Sequence, residues 1–165
     1  MKGITLIGMP GAGKSTIGKK LAKKIDFDFV DLDLLIKEKE GKSHVQLIRQ
    51  KGEKEFKRLE EKHALEVRLA NTIFSPGGSI VYSALVMERL SNESKIIYLE
   101  VPLKEIEQRL GAKAVSRGII GLKEKGLRRL YRERTPLYQK YAHHIINCSG
   151  FSDEEVVSRC LDLLG

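Results

Sequence analysis

The stretch Gly8-Met9-Pro10-Gly11-Ala12-Gly13-Lys14-Ser15 decides how the rest of the chain is read. It fits the pattern G-x-x-x-x-G-K-[ST], in which glycines let successive backbone N–H groups turn inward around an anion where a Cβ would obstruct. A helix starting at Lys14 aims the positive end of its dipole at the same anion. Lys14 then reaches the β/γ-phosphates, and the Ser15 hydroxyl is placed to ligate Mg²⁺. The flanks agree with this reading. Residues 4–7 form a short apolar run that predicts a strand, and Ile17, Leu21, Ala22 and Ile25 recur at helical spacing. A strand, a glycine-rich loop and a helix in that order predict a nucleoside triphosphate site.

Working outward, residues 27–30 read as a second strand ending in Asp31-Leu32-Asp33. Residues 34–70 read as mostly helical, with breaks near Gly41 and Gly52 and with Ser43 as a cap for the segment from His44 onward. A third strand over 72–75 stops at Pro76-Gly77-Gly78. A helix over 82–90, a strand over 95–101 and a helix opened by Pro102 and running to about Leu110 follow. Residues 111–126 carry four glycines and no regular periodicity, which predicts a mobile lid. A helix over about 122–141, a strand over 145–147 and a last helix from about Ser152 complete the pattern. Strands alternating with helices predict one α/β domain over 1–165, a three-layer fold with a five-stranded parallel sheet flanked by helices.

The composition narrows the class further. With 165 residues, 41% apolar and 32% charged, the chain is neither disordered nor collagen-like, and no apolar run approaches the length of a membrane-spanning helix. No secretory leader is expected before residue 4. Cys148 and Cys160 lack a metal-ligand or disulfide spacing, so a reducing, cytoplasmic setting is expected. The net charge of +8 is spread through mixed stretches such as Lys37-Glu38-Lys39-Glu40, the pattern of solvated helix faces. Few aromatic residues are available to stack bases, so neither a nucleic acid nor a membrane is expected as partner. His143-His144 has no acid or thiol at ligand spacing and reads as structural.

Beyond the loop, Asp31 and Asp33 are expected on one side of the second strand's carboxyl end, where ligands of open α/β sheets bind. One would hold Mg²⁺ through water, while the other would accept a proton from an attacking hydroxyl. Gly77 and Gly78 permit close approach of backbone to a ligand. Arg117 in the irregular segment, with Arg109 before it, would neutralise charge on a triphosphate.

These residues in this order resemble the shikimate kinase family, P-loop small-molecule kinases with a nucleoside-monophosphate-kinase-like fold. The resemblance runs from Ile4 to about Ile146. It rests on the loop at 8–16, Asp31-x-Asp33, Gly52-Glu53-x-x-Phe56-x-x-x-Glu60, Gly77-Gly78, and Arg134-x-Pro136-Leu137-Tyr138. It implies transfer of the ATP γ-phosphoryl group to the shikimate 3-hydroxyl with Mg²⁺, by a cytoplasmic monomer acting on a small molecule. Gly11, Ala12, Gly13, Lys14, Ser15 and Thr16 would bind ATP phosphates, Ser15 and Asp31 the metal, and Arg109 the neighbourhood of the adenine. Lys14, Asp33 and Arg117 would be catalytic. Asp33, Lys57, Gly77, Gly78 and Arg134 would contact the acceptor, within a binding segment at about 34–62 and beneath a lid at about 111–126. Three positions depart from the family pattern. Lys57 stands in place of an arginine, Ser79 in place of a third glycine, and the lid reads Arg117-Gly118-Ile119 where Arg-Pro-Leu is usual. A lysine offers a point charge where arginine offers a planar fork. The departures leave open a different small hydroxy acid or polyol as acceptor, and the net charge leaves open a nucleic-acid-associated NTPase.

Overall fold

The computed structural model describes residues 2–165. Strands β1 (Gly3–Ile7), β2 (Asp28–Asp31), β3 (Thr72–Ser75), β4 (Ser94–Glu100) and β5 (His144–Asn147) form one sheet in the order β2-β3-β1-β4-β5. Every pairing is parallel, with Thr5 opposite Phe74 on one side and Ile96 on the other. β1 sits at the centre and is buried along its length, Thr5 included. Gly3 is obligatory there, since a Cβ would lie 2.1 Å from the Leu69 carbonyl oxygen.

Helices α1 (Lys14–Ile25), α2 (Leu32–Glu40), α3 (His44–Glu66), α4 (Ala84–Glu93), α5 (Leu103–Leu110), α6 (Lys113–Ser116), α7 (Leu122–Tyr141) and α8 (Asp153–Asp162) flank the sheet. α1 packs on α8 and β3, whereas α4 packs on α3 and β4, and α7 on α5 and β4. Leu6, Ile73, Phe74, Ile97 and Leu99 are fully buried between these layers. Ser43 caps α3 in a reciprocal box with Gln46, as its position predicts, and Ser152 does the same for α8 with Glu155. Gly52 breaks α3 at φ 82°, ψ 163°.

Three expectations need correction. β2 ends one residue later than predicted, and Asp33 lies in the first turn of α2, not on the strand. The cause is Asp31, whose carboxylate accepts from the N–H groups of Asp33 and Leu34 and so starts a helix there. Residues 78–82, expected in part to open a helix, form a 3₁₀ turn (Gly78–Tyr82), and α4 begins after Ser83. The segment 111–126 is not without regular structure. It holds α6 and the start of α7, itself broken at Gly126, and the Gly121 N–H donates to Glu53 Oε1, 3.1 Å away. Cys148 and Cys160 are free and buried, their thiols pushed up to about 11 and about 12 by burial. His143 holds β5 to β4, accepting from the Ile96 N–H at 3.0 Å. No described helix is long and apolar enough to cross a membrane.

Candidate functional site

At the carboxyl edge of the sheet lies a cavity of about 770 Å³, bordered by the loop after β1, the β2–α2 junction, the Ser75–Gly78 turn, α3, Arg109 of α5, residues 117–120 after α6, and α7. The loop is shaped by Gly11 at φ 83° and Gly13 at φ 93°, left-handed conformations that a residue with a side chain adopts only under strain. Lys14 opens α1 with its ammonium buried, donating to the carbonyls of Gly8 at 2.8 Å and Met9 at 2.9 Å. Burial lowers it to about 8, while Asp33 and Asp31 pull the other way. An anion in the loop is the natural counter-charge for this cation. The Ser15 hydroxyl donates to Asp31 Oδ2. Arg109 lies across the loop, donating to the Gly11 carbonyl at 3.2 Å, and Arg117 lines the cavity from the end of α6.

The other end of the cavity is acidic and basic by turns. Asp33 faces the cleft beside Lys14, Asp31 and His44, and its carboxyl is pushed above the usual range by restricted access to water. Gly77 allows two carboxylates to converge. A Cβ there would lie 2.8 Å from Glu60 Oε2 and 3.1 Å from Asp33 Oδ1. Gly78 is equally constrained, since its Cβ would meet Pro10, Arg134 Nη1 and the Tyr138 hydroxyl at 2.8, 3.0 and 3.2 Å. Tyr138 donates to the Gly78 carbonyl at 2.6 Å and fixes that turn.

Arg134 comes from α7 and is 1% exposed. It donates to the Ile120 carbonyl at 2.9 Å and makes no ion pair among the described residues. A buried guanidinium without a carboxylate is costly, and an anionic ligand at the cavity wall would offset the cost.

Of the residues singled out from sequence, Gly11, Gly13, Lys14, Ser15, Thr16, Asp31, Asp33, Gly77, Gly78, Arg109, Arg117 and Arg134 all border this one cavity. Ala12 and Lys57 do not. The Ala12 N–H turns back to the Met9 carbonyl at 3.1 Å, and its side chain is buried. Lys57 lies on the outer side of α3, its ammonium 4.8 Å over the Tyr82 ring, in a shallow neighbouring groove.

Glu60 and His44 border the cavity without having been singled out as site residues. Glu60 is buried and accepts from the Ser79 hydroxyl at 2.6 Å. Burial pushes its carboxyl up to about 7 from 4.5, against the pull of the Ser79 hydrogen bond. Because the folded value exceeds the unfolded one, this group's contribution to stability is fully present below about pH 4.5. It is lost as pH rises through about 7, by about 3 kcal/mol in all. Glu60→Gln is therefore expected to raise Tm over the parent on the order of 5 °C or more at about pH 8, with little gain at about pH 4.5. Calorimetry at the two pH values checks this, and an equal gain at both would contradict the buried charge.

This arrangement is that of a P-loop kinase of small molecules, with the glycine loop, Asp33 and Arg134 bordering one cleft. A family model described as "SKI: Shikimate kinase" matches residues 10–165. The chain belongs to the shikimate kinase family. A shikimate kinase of Clostridium botulinum (strain Eklund 17B / Type B) is 34% identical over 155 residues, covering 93% of this chain and 92% of the relative. One of Mycobacterium avium (strain 104) is 38% identical over 142 residues, 83% of this chain and 78% of that one. The structure of a shikimate kinase from Acinetobacter baumannii in complex with shikimate superposes with a TM-score of 0.91 at 28% identity, covering 99% of this chain and 93% of that one.

Proposed function

We propose that the protein transfers the γ-phosphoryl group of ATP to the 3-hydroxyl of shikimate. The observation that carries the acceptor is Arg134, a buried guanidinium that meets the Tyr82 hydroxyl and ring but no carboxylate among the described residues, and that borders the same cavity as Asp33. A carboxylate on the acceptor would pair with it, and a hydroxyl on the same ring would then lie toward Asp33. Family membership supports shikimate as the molecule that bears both groups.

The residues divide the work by chemistry. The loop N–H groups and Lys14 bind the phosphates, Lys14 exchanging two carbonyl partners for anionic oxygens. Ser15 and Asp31 already face each other with two hard oxygen donors, a set that fits Mg²⁺ completed by phosphate oxygens and water. When bound, Mg²⁺ supplies charge neutralisation on the phosphates. Asp33 accepts the proton as the acceptor oxygen bonds to the γ-phosphorus and the bond to the bridging oxygen breaks. Arg117 adds positive charge from the lid, and Arg109 borders the nucleotide side.

Part of the basic charge of α7 is paired within the protein, Arg128 with Glu107, and Lys125 and Arg129 with Glu133. That pairing argues for a small-molecule enzyme over a nucleic-acid-associated NTPase. Free, buried thiols fit a reducing compartment, and we assign the protein to the cytoplasm.

Because Lys57 is engaged with Tyr82 and Arg134 faces the cavity, the two cations separate in a kinetic test. Arg134→Lys is expected to raise the shikimate KM by more than about tenfold, and Lys57→Met to change it by less than about threefold. A large KM rise in Lys57→Met would show that this ammonium leaves Tyr82 for the acceptor. Direct support for the function would be ³¹P resonances of ADP and a phosphate monoester arising together from Mg·ATP and shikimate. Release of inorganic phosphate in place of the ester would refute it.

A further inference from the structure

His44 is the first residue of α3 and lies outside every motif that marks the family. Its imidazole packs at 4.8 Å on the Phe56 ring and is 13% exposed, facing the cavity. The lid rests on its backbone. A Cβ on Gly118 would lie 3.0 Å from His44 Cβ and 3.1 Å from the Val45 nitrogen. His44 Nε2 is buried without a hydrogen-bond partner among the described residues. It stands 3.8 Å from Asp33 Oδ1, too far for a direct hydrogen bond. A hydroxyl oxygen held at about 2.8 Å from each needs them about 4.6 Å apart, so a side-chain shift of less than about 1 Å admits one between them. The oxygen must accept from Nε2–H and donate to the carboxylate, which a hydroxyl does and an ether or carbonyl does not.

We propose that His44 is a specificity-determining residue that reads a second hydroxyl of the acceptor, next to the one that is phosphorylated, in a bridge shared with Asp33. The attacking hydroxyl itself is unsuited to this place, because a donor on its lone pair competes with attack on phosphorus. The bridge requires an acceptor with adjacent hydroxyls, and a lid seated on Gly118 closes against the residue that reads them. The inference rests on the assignment of the Asp33 end as the acceptor end.

The test compares shikimate with its 4-deoxy analogue, using the parent, His44→Leu and His44→Gln. Leucine keeps the contact with Phe56 and removes the donor, whereas glutamine restores an N–H at similar reach. His44→Leu is expected to raise the shikimate KM about tenfold with the ATP KM unchanged, and His44→Gln to recover most of that loss. On the 4-deoxy analogue the parent and His44→Leu should be equal, since the hydroxyl that His44 reads is missing. The same loss on both acceptors, or no loss on shikimate, would overturn the proposal. If leucine disturbs the start of α3, His44→Met, a second apolar variant without a donor, repeats the comparison: a loss on shikimate alone is expected, and no loss or an equal loss on both acceptors overturns the proposal. Failure of the acceptor assignment itself has a different signature, turnover by the parent that does not depend on shikimate.

Discussion

Lys14→Ala is expected to lower kcat/KM by at least about a thousandfold, with the protein still folded. The side chain is buried, yet its hydrogen-bond partners are two loop carbonyls and not a carboxylate. Its removal leaves no unpaired charge in the fold, so the loss should fall on phosphoryl transfer and not on stability. Its ammonium, lowered by burial to about 8, also sets a pH dependence. Below about 8 it is a cation ready for the triphosphate, and as pH rises through that value the free enzyme loses the charge and ATP binding weakens. Titration of the ATP Kd against pH in the parent and the variant checks both points. A parent-like rate in Lys14→Ala would remove this residue from the chemistry.

Asp33→Asn is expected to lower kcat by about a thousandfold while leaving the ATP Kd within about threefold. The substitution keeps the shape that Gly77 accommodates, 3.1 Å from where its Cβ would be, and removes only the capacity to take a proton. Asp31, hydrogen-bonded by Ser15 and by the α2 N–H groups, is not free to replace it. Single-turnover measurement with saturating Mg·ATP and shikimate separates the chemical step from binding. A normal single-turnover rate would assign the proton to another group.

The glycine-rich loop and the helix it opens were legible because their signals are local. Glycines at left-handed φ, a lysine at the first turn of a helix and an apolar strand before them occupy consecutive positions. The strands and their alternation with helices followed from the same short-range patterns. Asp33 was misplaced onto a strand because the period-two reading was carried one turn too far. Asp31 followed by an acid two positions on is also helix-start chemistry. Glu60 could have been found from spacing, since Phe56, Glu60, His63 and Ala64 fall on one buried stripe of α3. An acid on such a stripe is a site signal, and the same stripe places Lys57 about 100° to one side of Phe56. His44 had no local signal. Its place depends on the first turn of α2, the start of α3 and the segment at Gly118 meeting in space, which no spacing along the chain encodes.

The measurement that tests the central claim most directly is ADP release from Mg·ATP, followed in a coupled assay with shikimate, with no acceptor, and with a panel of related hydroxy acids and polyols. Turnover that requires shikimate and disappears in Asp33→Asn is the predicted result. Turnover indifferent to shikimate, or restored only by a different hydroxy acid, would contradict the acceptor assigned to Arg134 and Asp33.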